Sequence, residues 1–158
     1  MRVIGVDPGL TRCGLSLIKS EKGRSVTALA IDVVCTSPNE KIHRRLLEIN
    51  NIIEYWIEIY HPDAIVIERV FAQQNLLTVI DTAQVGGTVA LSAARNGIKI
   101  RFYTPSEVKA AITGNGHACK TQVTEMIKKI LALSFESTQF DATDALAIAI
   151  CHCWYTSK

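Results

Sequence analysis

Hydrophobic positions change period along the chain, and each change marks an element. Val3, Ile4 and Val6 form a short β-branched run that reads as a buried strand. The run ends on an acid, Asp7, and Pro8-Gly9 turns the chain at once. Residues 13–18 and 26–35 predict two further strands, with Glu21-Lys22-Gly23 as the turn between them. Short turns between all three favour an antiparallel meander. The spacing then becomes helical. Ile42, Leu46, Ile49, Ile53, Trp56 and Tyr60 follow at intervals of four and three and make one apolar face. Ser37-Pro38-Asn39-Glu40 supplies a start: Ser37 and Glu40 fit a capping box, and Pro38 sits at the first helical position. His61-Pro62-Asp63 ends that helix.

Residues 64–67 are apolar without a break, a second buried strand, and again an acid follows: Glu68. Residues 75–95 predict a long helix closed by Asn96-Gly97, with Gly86-Gly87 inside it at a cost in helix stability. Residues 98–103 predict a fifth strand. Thr104 and Glu107 then make a second capping box around Pro105, opening a short helix to about Thr113. Gly114-Asn115-Gly116 is a loop. Residues 120–133 are helical, burying Val123, Ile127, Ile130 and Leu131, and residues 134–140 are polar and irregular. The last helix begins near Asp141 and runs through Ile150, apolar on every side and therefore packed in the core. Strands four and five are joined through a helix, which makes them parallel. The fold class is α/β: a mixed five-stranded sheet, three antiparallel strands plus two parallel, flanked by helices. No linker, repeat or low-complexity segment interrupts it, so residues 1–158 read as one domain.

Composition narrows the setting. The 158 residues are 48% hydrophobic and 20% charged, as in an ordinary globular protein. The first residues carry no basic-then-apolar signal pattern, and no apolar run looks long enough to span a membrane. The five cysteines lack disulfide-framework spacing and read as reduced thiols in a cytoplasm. Cys151-His152-Cys153 places neighbours in different directions on a helix and does not make a zinc site; His152 reads as a packed core histidine.

The acids change the picture. Asp7 and Glu68 each end a strand, and Asp141 and Asp144 share a face one turn apart at the start of the last helix. Alone, Asp7 is compatible with a simple turn and the helical pair with offsetting a helix dipole. Together, three elements deliver four carboxylates. Such a set repels itself unless a cation is present, and hard oxygen donors suit Mg²⁺ or Mn²⁺. Two such ions about 3.5–4 Å apart serve phosphodiester cleavage. The net charge of +2 conceals a basic surface: with the four acids set aside, 17 Lys and Arg face 11 remaining acids, a balance of +6.

At this point the chain resembles a known family. Gly5-Val6-Asp7-Pro8-Gly9, Ile67-Glu68-Arg69-Val70-Phe71 with Asn75, Pro105-Ser106-Glu107-Val108-Lys109, Gly114-Asn115-Gly116 followed by Lys120, and Asp141-Ala142-Thr143-Asp144-Ala145-Leu146-Ala147 occur in order across nearly the whole chain. They are similar to the motifs of RuvC, the crossover junction endodeoxyribonucleases that resolve Holliday junctions on a ribonuclease H-like fold. The resemblance implies that Asp7, Glu68, Asp141 and Asp144 are the catalytic metal ligands. It implies Mg²⁺ as cofactor, two ions per site, with Mn²⁺ as a substitute. Lys109 and Lys120 would lie beside the scissile phosphates, and Phe71 would stack on a base near the crossover. The partners implied are four-way junction DNA, a second copy in a homodimer, and the RuvA–RuvB branch-migration complex, with no membrane. Paired symmetric nicks would leave 5′-phosphate and 3′-hydroxyl ends. Some relatives carry His where this chain has Asp144.

Two other function classes compete. Asp7-Pro8-Gly9-Leu10-Thr11 is also similar to the first phosphate loop of actin-like and sugar-kinase ATPases, which need a second phosphate loop and a second lobe for which the chain has no room. A non-catalytic DNA-binding module is the other, and an incomplete acid set would have favoured it. Lys128 and Lys129 are candidates for a track along the DNA backbone, and His117 stands in the loop before Lys120.

Overall fold

The computed structural model describes residues 1–69, 76–132 and 142–156. β1 (Arg2–Asp7), β2 (Arg12–Ser20) and β3 (Val26–Cys35) form the expected antiparallel meander. β4 (Ala64–Glu68) lies parallel to β1, and β5 (Lys99–Tyr103) lies parallel to β4. The sheet order is β3-β2-β1-β4-β5, with α1 (Ile42–Tyr60), α2 (Leu76–Arg95), α3 (Pro105–Thr113), α4 (Lys120–Leu131) and α5 (Thr143–Thr156) around it.

Strand side chains alternate between faces, so each central strand serves two cores. Ile4, Val6, Ile65 and Ile67 pack with Ile49, Ile53 and Trp56 of α1 and Val85 and Val89 of α2. Val3 and Val66 belong to the other face, with Tyr103, Val108, Ile127 and Leu146. The period carries Gly5, Asp7 and Glu68 onto that second face, which α5 covers. From Ala145 to Cys151 no residue of α5 is more than 1% exposed. Its far end is tied to β5, where the buried Tyr103 hydroxyl meets His152 Nδ1 at 2.8 Å. His152 is thus a core histidine, and burial lowers its pKa. Cys151 and Cys153 are buried on the same helix.

The second capping box forms as expected: Glu107 N–H donates to Thr104 Oγ1, and Thr104 N–H to Glu107 Oε2. The first does not. Glu40 N–H donates to Ser37 O at 3.1 Å, closing a turn, and α1 starts later with Lys41 as a cap that makes no side-chain bond. Ser, Pro and Asn serve β-turns as readily as helix starts, and here the turn wins. α4 ends at Leu131, where Ala132 adopts a left-handed conformation at φ 51°.

α2 corrects the expectation about membrane spans. Its 20 residues contain an 18-residue window of mean hydropathy 1.3, enough by length and composition to cross a membrane. Alanines, threonines and glycines hide this in a residue-by-residue search for an apolar run. In the fold, Val85, Val89 and Ala93 of this helix enter the core.

Candidate active site

The parallel pairing of β1 with β4 brings two acids out at one end of the sheet. Val6 pairs with Ile67, and Asp7 and Glu68 follow one residue later on each strand. The loop after Asp7 is pinned. Gly9 N–H donates to Asp7 O at 3.0 Å, and a Cβ on Gly9 would run into the Arg12 carbonyl, so only glycine fits this turn. Thr36 Oγ1 donates to Leu10 O at 2.6 Å. The buried Arg45 side chain donates to Thr36 Oγ1 and Thr11 Oγ1, both at 2.8 Å. The carboxylate is therefore presented from a short, cross-braced loop.

The third acid comes from α5. Asp144 lies in its first turn and accepts from Lys120 Nζ at 2.8 Å. Lys120 opens α4, and the preceding loop is folded to bring it there. Gly114 caps α3 at φ 78°, Thr113 Oγ1 accepts from Asn115 N–H, and Asn115 Oδ1 accepts from His117 N–H. Lys109 stands on α3 opposite. Glu68, Asp144, Lys109 and Lys120 line one cleft of about 300 Å³, with Pro105, Val108, Val123 and Ala147 as its apolar wall.

These groups feel one another. Burial, then the charge of Asp144, raises Asp7 from its ordinary 3.8 to about 6, against the pull of Lys120. Burial, then Asp7 and Asp144, raises Glu68 from 4.5 to about 7, while Lys109 and Lys120 oppose the rise. The two lysines offset only part of the negative charge. The chemistry of the donor set fits a divalent cation: the converging acids offer hard oxygens, with no sulfur or imidazole among the described residues that line the cleft. Among the described residues no three His, Cys, Asp or Glu side chains are drawn tightly enough to enclose an ion. Asp144 instead leans on Lys120.

Of the residues singled out from sequence, Asp7, Glu68, Asp144, Lys109 and Lys120 come together. Asp141 and Phe71 lie outside the described residues. Lys128 pairs with Glu125 at 2.9 Å, and His117 is exposed. Sequence reasoning missed the brace of Thr11, Thr36 and Arg45, and it missed Gly5 and Ser16 beneath α5. A glycine in a β-branched run and a serine between Leu15 and Leu17 were the available signals.

A five-stranded mixed sheet of this order, with acids at the ends of two parallel strands and another on a helix laid across them, defines the ribonuclease H-like class of nucleases. Within that class the chain belongs to the RuvC family: the family model for crossover junction endodeoxyribonuclease RuvC matches residues 3–152. Nucleases of this family are metal-dependent. The crossover junction endodeoxyribonuclease RuvC of Mycobacterium ulcerans is 61% identical over 154 residues, covering 98% of this chain and 84% of that protein. The Mycobacterium tuberculosis protein of the same name is 59% identical, covering 98% and 82%. Among solved structures, T. thermophilus RuvC in complex with Holliday junction substrate superposes with a TM-score of 0.93 at 31% identity, covering 99% of this chain and 95% of that one. The yeast mitochondrial Holliday junction resolvase Ydc2 shares the fold, with a TM-score of 0.72 at 14% identity, covering 99% and 79%.

Proposed function

We propose that this chain, as one nuclease domain over residues 1–158, is a structure-selective endonuclease that resolves four-way DNA junctions by paired, symmetric, metal-dependent nicks. One observation carries the reading: Asp7, Glu68 and Asp144 converge at one end of the sheet, and two of them share a cleft with Lys109 and Lys120. Asp7, Glu68, Asp141 and Asp144 would hold the cofactor, which in this reading is Mg²⁺, two ions per site, with Mn²⁺ as a substitute. When bound, these ions supply Lewis acidity at the phosphate and a lowered pKa for the attacking water. The chain's own residues do the rest. The acids must be ionised to bind cations, so the site loads as pH rises through the range near 6 to 7 where Asp7 and Glu68 give up their protons. Lys109 and Lys120 hold the backbone phosphates and offset charge that builds up there during cleavage. Phe71, three residues beyond Glu68, stacks on a base at the crossover, where pairing is interrupted and unstacking costs least.

Two nicks at related positions require two sites, and an isologous homodimer supplies them. α2 is the favoured interface helix: Leu76, Leu77, Ile80 and Leu91 are exposed along it, and Gly86-Gly87 permits close approach. We place the enzyme in the cytoplasm, working with the RuvA–RuvB branch-migration complex.

The test is to incubate the protein with a synthetic four-way junction and a matched linear duplex, with and without Mg²⁺. The expected result is symmetric nicking of the junction only, in Mg²⁺ only, leaving 5′-phosphate and 3′-hydroxyl ends that ligase reseals. Equal cutting of the duplex, or cutting in a chelator, defeats the reading.

A further inference from the structure

The first turn of α5 is seated in a socket built by two strands. Gly5 of β1 and Ser16 of β2 are cross-strand partners, so both lie on the face that α5 covers. The carbonyl of Ala145 rests on them. Ser16 is fully buried, and its Oγ donates to Ala145 O at 2.8 Å. Gly5 leaves the space this needs. A Cβ there would collide with Ala145 O and would stand 2.8 Å from Ser16 Oγ and 2.9 Å from Ala149 Cβ.

The socket adjoins the acids on both sides. Gly5 precedes Asp7 by two residues, on the same face of the same strand. Ala145 directly follows Asp144. The need for a socket follows from the composition of α5. Its buried stretch is apolar all round, and the bond between Tyr103 and His152 fixes only its far end, so the end that carries Asp144 has no directional contact from packing alone. A hydrogen bond from a buried hydroxyl is directional and supplies that contact.

We propose that Gly5 and Ser16 form a positioning socket that sets the Asp144 carboxylate against Asp7 and Glu68. Ser16 is a positioning residue: it tunes the affinity of the site for its divalent ion while touching neither ion nor DNA. The inference rests on the reading of these acids as the metal-binding set.

The test compares Ser16→Ala, Ser92→Ala and Asp7→Asn in the full chain. Ser92 is the matched control. It is 1% exposed and donates to Asn50 Oδ1 at 2.8 Å between α1 and α2, on the opposite face of the sheet. Both serine variants lose one buried hydroxyl and add no atom. Mg²⁺ is titrated into each protein without DNA by calorimetry, and junction cleavage is followed against Mg²⁺ concentration. Outer groups that orient metal ligands change affinity by about 10–100-fold when removed. Ser16→Ala is expected to weaken Mg²⁺ binding and raise half-saturating Mg²⁺ about tenfold, with cleavage at saturating Mg²⁺ within about twofold of the parent. Ser92→Ala is expected to melt earlier by a similar amount and keep the parent's Mg²⁺ affinity. If Ser16→Ala binds Mg²⁺ as the parent does, or if both serine variants weaken it equally, the socket has no positioning role. Failure of the underlying reading looks different: Asp7→Asn would then bind Mg²⁺ as well as the parent.

Discussion

The two faces of one sheet do different work with alternate residues of the same strands. On the α1–α2 face, Ile4, Val6, Ile65 and Ile67 are fully buried in an apolar cluster. On the α5 face, the residues interleaved with them include Gly5, Asp7 and Glu68, and two carboxyls are held well above their ordinary pKa. A site that concentrates like charge costs stability, and here that cost falls on a sheet whose other face packs a large apolar core. Stability and chemistry are thus separated by one residue along a strand, and substitutions on the two faces should fail in different ways.

The largest expected effect is on the α5 face. Asp7→Asn keeps the shape of the side chain and removes its charge. Cleavage of a four-way junction should fall by about 10³-fold or more, roughly 4 kcal/mol of barrier. Junction binding in a gel-shift assay should persist, because in the proposed function lysines, and not the acids, hold the backbone. Native-rate cleavage by this variant would remove Asp7 from the metal site.

Ile53→Ala tests the other face. Ile53 is fully buried in the α1–α2 core, and such truncations cost about 2–5 kcal/mol. Urea denaturation should show that loss, while the cleavage rate well below the melting point stays near that of the parent. A variant that kept its stability and lost its rate would show that the two faces are not separable.

A smaller effect links the faces through pH. Without divalent ions, Asp7 and Glu68 hold their protons to about pH 6 and 7 when folded, against ordinary values of 3.8 and 4.5. Below about pH 3 folded and unfolded chains are both protonated, and the acids cost nothing. Between about pH 3 and 7 the unfolded chain ionises first, so stability falls as pH rises and stays low above pH 7. Asp7→Asn should therefore be more stable than the parent at pH 8 in chelator, by on the order of 1–3 kcal/mol, with the difference shrinking as pH falls and gone near pH 3. Added Mg²⁺ should stabilise the parent more than the variant. Identical melting curves at pH 8 would mean that Asp7 is not strained by its neighbours.

Much of this was legible because strand periodicity is local. The apolar runs ending at Asp7 and Glu68, the meander and the parallel crossover from β4 to β5 follow from residue type and connection length, whereas the parallel pairing of β1 with β4, which brings the two acids to one sheet end, is seen only in the structure. The start of α1 was misread because Ser37 to Glu40 satisfies the rules of a helix cap and of a turn alike. The Gly5–Ser16 socket was invisible because its third member, Ala145, lies 129 residues from Ser16. The same holds for the bond from Arg45 to Thr11, which joins a helix to a loop 34 residues earlier. Sequence patterns report which face a residue takes; they do not report which atom will stand over it.

The smallest effect concerns a feature that neither face explains. Gly86 is buried, yet a Cβ there would come no closer than 4.0 Å to Phe102, and one on Gly87 would meet nothing within 4 Å. Neither residue has a positive φ. Within this chain alanine fits at position 87, and it should stabilise an exposed helical site by about 1 kcal/mol. The proposed dimer asks for the opposite. If α2 packs against its symmetry mate at these glycines, a methyl group on each copy separates the helices and removes close contacts on both sides of the two-fold axis. Gly87→Ala should then leave the dilute, monomeric chain slightly more resistant to urea, while sedimentation equilibrium shows a dimer dissociation constant raised about tenfold, roughly 1.4 kcal/mol. Nicks on the two strands of a junction should lose their synchrony in step. A variant that gains stability and dimerises as tightly as the parent would move the interface away from this helix.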